Sequence, residues 1–96
     1  MSGMSSGVVD IDIDIDPADG IPIYRQIATR MSDLVAAGVL APESALPSIR
    51  LLAIELKVAP NTIAKAYEKL EAQGVVHKRR GLGTFVSSRS PQFVPR

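Results

Sequence analysis

Small polar and basic side chains recur along one side of the stretch PNTIAKAYEKLEAQG, residues 60–74. In a helix, positions i, i+1, i+4 and i+8 fall near one face, and here they are Asn61, Thr62, Lys65 and Lys69. In the major groove of DNA, Asn can bond adenine twice, Lys can reach guanine, and the Thr methyl can contact thymine. The first amides of such a helix also favour a phosphate. Taken alone, this pattern is also typical of an ordinary solvated helix surface. The choice between a DNA-binding face and a solvated face therefore depends on the neighbouring segments.

A second candidate contact lies upstream, in the stretch LPSIRLLAIEL. Ser48 and Arg50 fall in the first turn of the helix that this stretch predicts, close to the start of the next helix. Ser48 is a good N-cap, and capping alone would explain it. Arg50 is the one basic residue of that helix. It either contacts DNA or forms an ion pair with a neighbouring acid.

A third basic segment, HKRRGLGTF, follows the polar helix and predicts a β-hairpin. Lys78, Arg79 and Arg80 directly precede Gly81 and Gly83. Glycines permit a tight tip that can approach a sugar–phosphate wall or a minor groove closely. This hairpin and the preceding helix favour the DNA-binding interpretation of the polar face.

The sequence offers no catalytic or metal-binding constellation. It has no Cys and a single His, His77. A structural zinc site needs four Cys or His ligands, and nucleophilic catalysis needs a paired base. We therefore interpret His77 as a strand residue and predict that the protein is not an enzyme and needs no metal or cofactor.

The acidic stretch VDIDIDIDPADG, residues 9–20, could be a calcium loop or a strand. An EF-hand needs Gly at its sixth position and Glu at its twelfth, and the frames starting at Asp10 and Asp12 supply neither. Strict alternation instead sends the aspartates to one side of an extended chain and the isoleucines to the other. We predict a structural strand that pairs with the hairpin.

Periodicity and capping residues predict the remaining elements. Helix one runs from Pro22 to Ala37, helix two starts after Ser48, and helix three runs from Pro60 to about Gln73. The hairpin strands are residues 75–79 and 84–87. The apolar positions of helix two are Leu51, Leu52, Ile54 and Leu56, and the buried stripe of helix three is Ile63, Ala66, Tyr67 and Leu70. Two helices joined by about three residues and followed by a hairpin predict an α+β winged helix-turn-helix over residues 9–88, with disordered ends at 1–8 and 89–96.

Composition agrees with one small intracellular domain. The 96 residues are 46% hydrophobic, and neither a secretory signal nor a run of about 20 apolar residues is visible. Residues 1–56 hold eight acidic and three basic residues, whereas residues 57–96 hold two acidic and eight basic ones. This asymmetry predicts a polyanionic partner for the second half. We expect a cytoplasmic, nucleoid-associated protein without a membrane partner.

Three blocks of the sequence resemble the DNA-binding domain of the GntR family of bacterial transcription regulators, and they have the order and spacing found in that family. The blocks are LPSIR, PNTIAKAYEKLEAQG and RRGLGTFV, and the resemblance covers residues 20–87. PNT followed by KAY, and the acidic strand before PIY, resemble its YtrA subfamily. The resemblance implies a sequence-specific regulator, usually a repressor, that binds operator DNA as a homodimer. It also implies that a C-terminal effector or dimerisation domain, short and helical in that subfamily, is absent or truncated here.

By the family's pattern, Ser48 and Arg50 contact DNA from helix two, Asn61, Thr62 and Lys65 contact it from helix three, and Gly81 approaches the minor groove. Together with the basic and turn residues nearby, the expected DNA-binding set is Ser48, Arg50, Pro60, Asn61, Thr62, Lys65, Lys69, Lys78, Arg79, Arg80, Gly81, Gly83 and Thr84. Two positions depart from the pattern. Ala59 replaces the usual Ser or Asn cap of helix three, at a cost of about 0.5–2 kcal/mol, and Ala64 replaces an arginine of many relatives.

Two other functions stay open on the sequence. One is a protein-interaction module that docks through helix one or the acidic strand. The other is an architectural DNA binder without sequence preference. If the protein recognises a DNA sequence, Lys65→Ala should relax its preference for that sequence. Arg79→Ala should instead weaken binding to all duplexes about equally.

Overall fold

Three helices and a β-hairpin follow one another along the chain. The computed structural model describes residues 13–87. The elements are α1 (Ile23–Ala36), α2 (Ile49–Leu56), α3 (Pro60–Ala72), β1 (Val76–Arg79) and β2 (Gly83–Val86). This order confirms the predicted winged helix-turn-helix, with helix boundaries within one residue of those expected. The predicted ends at 1–8 and 89–96 lie outside the described residues.

All three helices end in the same pair of backbone hydrogen bonds, the Schellman motif. At the end of α1, the Val39 N–H donates to the Leu34 carbonyl at 2.9 Å and the Gly38 N–H to the Val35 carbonyl at 3.1 Å. Gly38 has a φ of 83°, a left-handed conformation that glycine adopts without strain. The motif at the end of α3 uses Gly74 in the same way. Each glycine directly follows the helix end expected from the sequence, Ala37 or Gln73.

The core lies where α1 and α2 pack against α3 and the hairpin closes one side. Its largest fully buried side chains are Ile27, Met31, Leu52, Ile63, Leu70 and Val86. Two of the apolar positions predicted for helix two lie outside this core, since Leu51 and Ile54 are 46% and 71% exposed. With only eight residues, α2 packs one narrow face inward, and Leu52 and Ala53 occupy it.

The hairpin pairs β1 with β2 in antiparallel register, Val76 opposite Val86 and Arg79 opposite Gly83. A segment of the α1–α2 loop, residues 43–46, covers the other edge of β2. The bonds run from the Glu43 N–H to the Val86 carbonyl at 2.8 Å, from the Val86 N–H to the Ser44 carbonyl at 2.9 Å, and from the Leu46 N–H to the Thr84 carbonyl at 2.8 Å. This edge of the hairpin is therefore paired by a segment that sequence reasoning had assigned to a loop.

The acidic strand predicted over residues 9–16 is not formed in its described part, residues 13–16. The expected alternation is present there, since Ile13 is buried, Ile15 half-buried, and Asp14 and Asp16 exposed. The Gln26 side chain holds this segment. Its Oε1 accepts the Asp16 N–H at 2.8 Å, and its Nε2 donates to the carbonyls of Asp16 and Ile21. The backbone groups of Asp16 thus bond to α1 instead of to the hairpin, while residues 9–12 lie outside the described part.

Between residues 13 and 87, no helix is both long and apolar enough to cross a membrane.

Candidate nucleic-acid interface

The start of α3 carries the polar face that the sequence predicts for DNA binding. Asn61 and Lys65 are exposed and Thr62 is half-buried, whereas the predicted apolar stripe of Ile63, Ala66, Tyr67 and Leu70 is at most 3% exposed. Proline occupies the first turn, and the N-cap position is Ala59, which offers no side-chain acceptor. Pro60 has no N–H and the Thr62 N–H donates to the Ala59 carbonyl at 2.9 Å, so the first turn of α3 presents the Asn61 amide and small polar side chains to a ligand.

Lys65 lies against an aromatic ring of α1. Its Nζ is 5.3 Å from the centroid of the Tyr24 ring, within the range of a cation–π interaction. Tyr24 is half-buried in the first turn of α1. Sequence reasoning had not included Tyr24 among the functional residues, because spacing along the chain gives no sign of this contact.

The start of α2 is fixed by two hydrogen bonds. The Ser48 Oγ accepts the Leu51 N–H at 3.1 Å, which confirms Ser48 as the N-cap. The Tyr67 hydroxyl of α3 donates to the carbonyl of Pro47 at 2.7 Å. Together these bonds hold the beginning of α2 beside α3, and three residues, 57–59, connect the two helices.

Arg50 is exposed in the first turn of α2. The ion pair considered as its alternative role is not formed within residues 13–87, where the one salt bridge joins Arg79 to Glu43. The Arg50 guanidinium is thus available to a ligand.

The hairpin tip is a tight turn of small and basic residues. The Leu82 N–H donates to the Arg79 carbonyl at 2.8 Å, and Gly81 at the third position of this turn has a φ of 76°. Lys78, Arg80 and Gly81 are exposed. The positive φ favours glycine at this position. The tip can therefore approach another surface closely with a basic side chain on its flank.

Arg79 differs from its neighbours in the wing. Its guanidinium is 3.5 Å from the Glu43 carboxylate and 5.1 Å from the centroid of Phe85, and His77 stacks on the same ring at 6.2 Å. Strand alternation places Arg79 on the face opposite Lys78. Arg79 thus joins the hairpin to the α1–α2 loop, whereas Lys78 and Arg80 form no salt bridge with any residue between 13 and 87.

Lys69 and Thr84, two other members of the predicted DNA-binding set, lie at the margin of the surface that carries the starts of α2 and α3 and the hairpin tip. Lys69 lines a cleft with α1 side chains that include Thr29 and Asp33. Eight residues separate Lys69 from Asn61, a distance of roughly 12 Å along the helix axis. Thr84 is half-buried within β2, and its carbonyl accepts the Leu46 N–H.

Residues 13–87 contain no cluster of His, Cys, Asp and Glu that could hold a metal ion. The surface formed by the starts of α2 and α3 and the hairpin tip offers amides, hydroxyls and cations. Its chemistry suits an anionic polymer with hydrogen-bonding edges.

Residues 23–86 match the family of bacterial regulatory proteins called gntR. This chain belongs to the GntR family. The HTH-type transcriptional repressor YtrA of Bacillus subtilis is 42% identical over 78 residues, which cover 81% of this chain and 60% of that protein. The resemblance to the GntR family and to its YtrA-like members, expected from three sequence blocks, is thereby confirmed.

Solved GntR-family structures have the same fold. YtrA from Sulfolobus acidocaldarius, a GntR-family transcription factor, superposes with a TM-score of 0.77 at 40% identity, covering 80% of this chain and 81% of that one. The AraR DNA-binding domain, solved in complex with an operator, gives a TM-score of 0.67 at 27% identity, covering 80% and 94% of the two chains. The chain spans about three fifths of the length of the Bacillus subtilis repressor YtrA and of two similar regulators from Mycobacterium tuberculosis and Bacillus subtilis.

Most of the expected set lies at the ends of three elements. The starts of α2 and α3 and the hairpin tip carry Ser48, Arg50, Pro60, Asn61, Thr62, Lys65, Lys78, Arg80, Gly81 and Gly83. Lys69, Arg79 and Thr84 lie apart or are engaged with the protein. Two tyrosines that spacing did not mark for function support this set. Tyr24 contacts Lys65 from α1, and Tyr67 of α3 donates to the carbonyl of Pro47, the residue before Ser48.

Proposed function

We propose that this GntR-family chain is a DNA-binding transcription regulator, acting as a repressor, that reads an operator in the major groove with α3. The observation that carries the proposal is the start of α3, where Asn61 and Lys65 are exposed on a helix end without a side-chain cap. These side chains can hydrogen-bond base edges, and the Asn61 N–H can donate to a phosphate oxygen.

Each neighbouring element has its own role in this proposal. Ser48 and Arg50 contact the operator backbone from α2, and Arg50 can also reach a base edge. Lys78, Arg80 and the glycines of the tip follow the backbone or enter the minor groove. We assign Arg79 to supporting the hairpin, because it already contacts Glu43 and Phe85.

The partner in this proposal is double-stranded operator DNA, bound by two copies of the protein in the cytoplasm at the nucleoid. The names of the relatives support a regulatory and non-enzymatic role. The operator-bound AraR domain supports the mode of binding. Two domains on a palindrome bind more tightly than one because the second contact becomes intramolecular.

A protein-interaction module is the second candidate. The observation that favours it is the exposed apolar pair Leu51 and Ile54, 46% and 71% exposed on α2. This pair lies on the same helix as Arg50, so docking and DNA contact would use neighbouring surfaces.

Selection from a randomised duplex pool, followed by fluorescence anisotropy at several salt concentrations, tests the proposal. A sequence-specific DNA-binding protein binds its selected duplex at least about tenfold more tightly than a scrambled duplex, and its affinity falls steeply as the salt concentration rises. Equal binding to both duplexes would indicate an architectural binder. No binding at low salt would favour the interaction module.

Substitutions in the same assay separate base reading from backbone contact. Lys65→Ala is expected to reduce the ratio between selected and scrambled affinities about tenfold or more. Lys69→Ala on the same helix is the matched control, with a smaller effect on that ratio. Arg80→Ala should weaken both duplexes about equally, and Arg79→Ala should change binding less than Arg80→Ala, because Arg79 contacts Glu43.

A further inference from the structure

Lys65, the lysine proposed to read bases, packs on a residue from another helix. The Tyr24 ring in the first turn of α1 lies 5.3 Å from the Lys65 Nζ. Lys65 follows Asn61 by one helical turn, so the ring lies beside the edge of the polar face. The half-buried ring is held by α1, while the lysine end group is exposed.

A lysine that reads a base must be held in one orientation. Its four-carbon side chain has about 2 kcal/mol of rotamer entropy, which binding reduces. A ring under the ammonium favours one set of rotamers before DNA arrives, through the attraction between the cation and the ring face. The ring therefore lowers the entropic cost of using Lys65 for recognition.

We propose that Tyr24 is a positioning residue that sets the sequence preference of this protein by holding Lys65 in its reading orientation. The inference rests on the proposed function, because it assigns Tyr24 to the reading of bases by α3. Tyr24 acts through the face of its ring, so Tyr24→Phe should preserve its role and Tyr24→Leu should remove it.

A double-mutant cycle on the 96-residue chain tests this inference. The variants are Tyr24→Phe, Tyr24→Leu, Lys65→Met and Tyr24→Leu/Lys65→Met, each measured on the selected and the scrambled duplex. Tyr24→Leu is expected to reduce the affinity ratio between the duplexes about two- to fivefold, the size of an exposed cation–π contact. Tyr24→Phe should retain the ratio. With Lys65→Met already present, Tyr24→Leu should change it no further.

Two results would overturn the inference. If Tyr24→Leu reduces the ratio as much beside Lys65→Met as beside the native lysine, Tyr24 does not act through Lys65. If Tyr24→Phe weakens both duplexes equally, the tyrosine hydroxyl contacts the DNA backbone itself.

A measurement without DNA separates this inference from the function on which it rests. In the free protein the Tyr24 ring should shift the NMR signals of the Lys65 Cε protons upfield, and Tyr24→Leu should abolish the shift while Tyr24→Phe keeps it. Absence of the shift in the native protein overturns the positioning role whatever the DNA measurements show. A normal shift together with equal binding to all duplexes contradicts base reading by α3, and with it the consequence proposed for Tyr24.

Discussion

The Tyr67 hydroxyl is a single group that joins two parts of the candidate interface. It donates to the Pro47 carbonyl at 2.7 Å, and Pro47 precedes the Ser48 cap of α2. The ring is 3% exposed, and its burial raises the pKa of Tyr67 well above the ordinary tyrosine value. Tyr67 therefore remains a neutral hydrogen-bond donor throughout the physiological pH range.

Tyr67→Phe tests the strength of this link. The substitution keeps the ring in the core and leaves the Pro47 carbonyl without its partner, so the free energy of unfolding should fall by about 1–2 kcal/mol. Urea denaturation measures the change. Tyr24→Phe is the matched control, because it removes a hydroxyl from a half-buried ring and should cost less than about 0.5 kcal/mol. Equal losses in both variants would refute a special role for the Tyr67 bond.

The same variant gives a pH dependence whose sign follows from the raised pKa of Tyr67. The unfolded chain loses this proton near pH 10, the ordinary tyrosine value, whereas the folded protein retains it. The tyrosine contribution to stability is therefore complete below about pH 10 and is lost as the pH rises toward the folded pKa. The native protein should lose stability above pH 10 more steeply than Tyr67→Phe, by up to about 1.4 kcal/mol per pH unit.

The C-terminal end of α2 has a lysine in the left-handed conformation, which is unfavourable for a residue with a Cβ. The Val58 N–H donates to the Ala53 carbonyl at 3.0 Å and the Lys57 N–H to the Ile54 carbonyl at 3.3 Å. This is the ending that α1 and α3 form with glycines, but here Lys57 has a φ of 59°. A left-handed conformation costs a residue with a Cβ about 1–2 kcal/mol. The turn between α2 and α3 thus contains backbone strain.

Lys57→Gly should relieve that strain. We expect Lys57→Gly to be about 0.5–1 kcal/mol more stable than Lys57→Ala, since both lose the charge and only Ala keeps a Cβ in the left-handed region. Thermal or urea unfolding of the two variants gives the difference. Lys57→Ala more stable than Lys57→Gly would show that glycine's greater freedom in the unfolded chain outweighs the strain.

Local rules were sufficient for the helices and the hairpin, and insufficient for the segment that pairs with the other edge of β2. Apolar spacing and the residues Ser48, Gly38 and Gly74 located helix ends, because capping depends on residues close in sequence. The pairing of residues 43–46 with β2 could not be predicted, because four residues carry no clear alternation and their partners lie about 40 positions away. Spacing identified Leu51 and Ile54 only as apolar positions, and their exposure follows from the narrow face that an eight-residue helix buries.

For the candidate site, too, local patterns predicted some residues, whereas contacts between distant segments could not be predicted. Asn61 and Lys65 were found from their position at the start of a helix with an apolar opposite face. The contacts of Tyr24 with Lys65 and of Arg79 with Glu43 depend on how distant segments meet, so residue spacing could not reveal them.

At the scale of the whole molecule, one winged helix offers a limited set of contacts to DNA. A domain with about four phosphate contacts would lose about a hundredfold in affinity between 50 and 200 mM salt. Operators of helix-turn-helix dimers carry two half-sites about one helical turn apart. We therefore expect the 96-residue chain to bind a single half-site weakly and two linked copies to bind a double site strongly.

Linking two copies through a flexible Gly/Ser segment tests this expectation. Affinity for a duplex with two selected half-sites should rise by about a hundredfold or more, because the second contact is intramolecular. Affinity for a duplex with one half-site is the control and should change by about twofold at most. An equal increase on both duplexes would show that the gain comes from non-specific charge.

The most direct test of the account is an amide NMR titration of the ¹⁵N-labelled chain with its selected duplex. We expect the largest shift changes at residues 48–50, 60–65 and 80–83, with small changes along the exposed side of α1. Shift changes confined to the surroundings of Leu51 and Ile54, or to residues 13–19, would contradict the claim that the starts of α2 and α3 and the hairpin tip bind DNA.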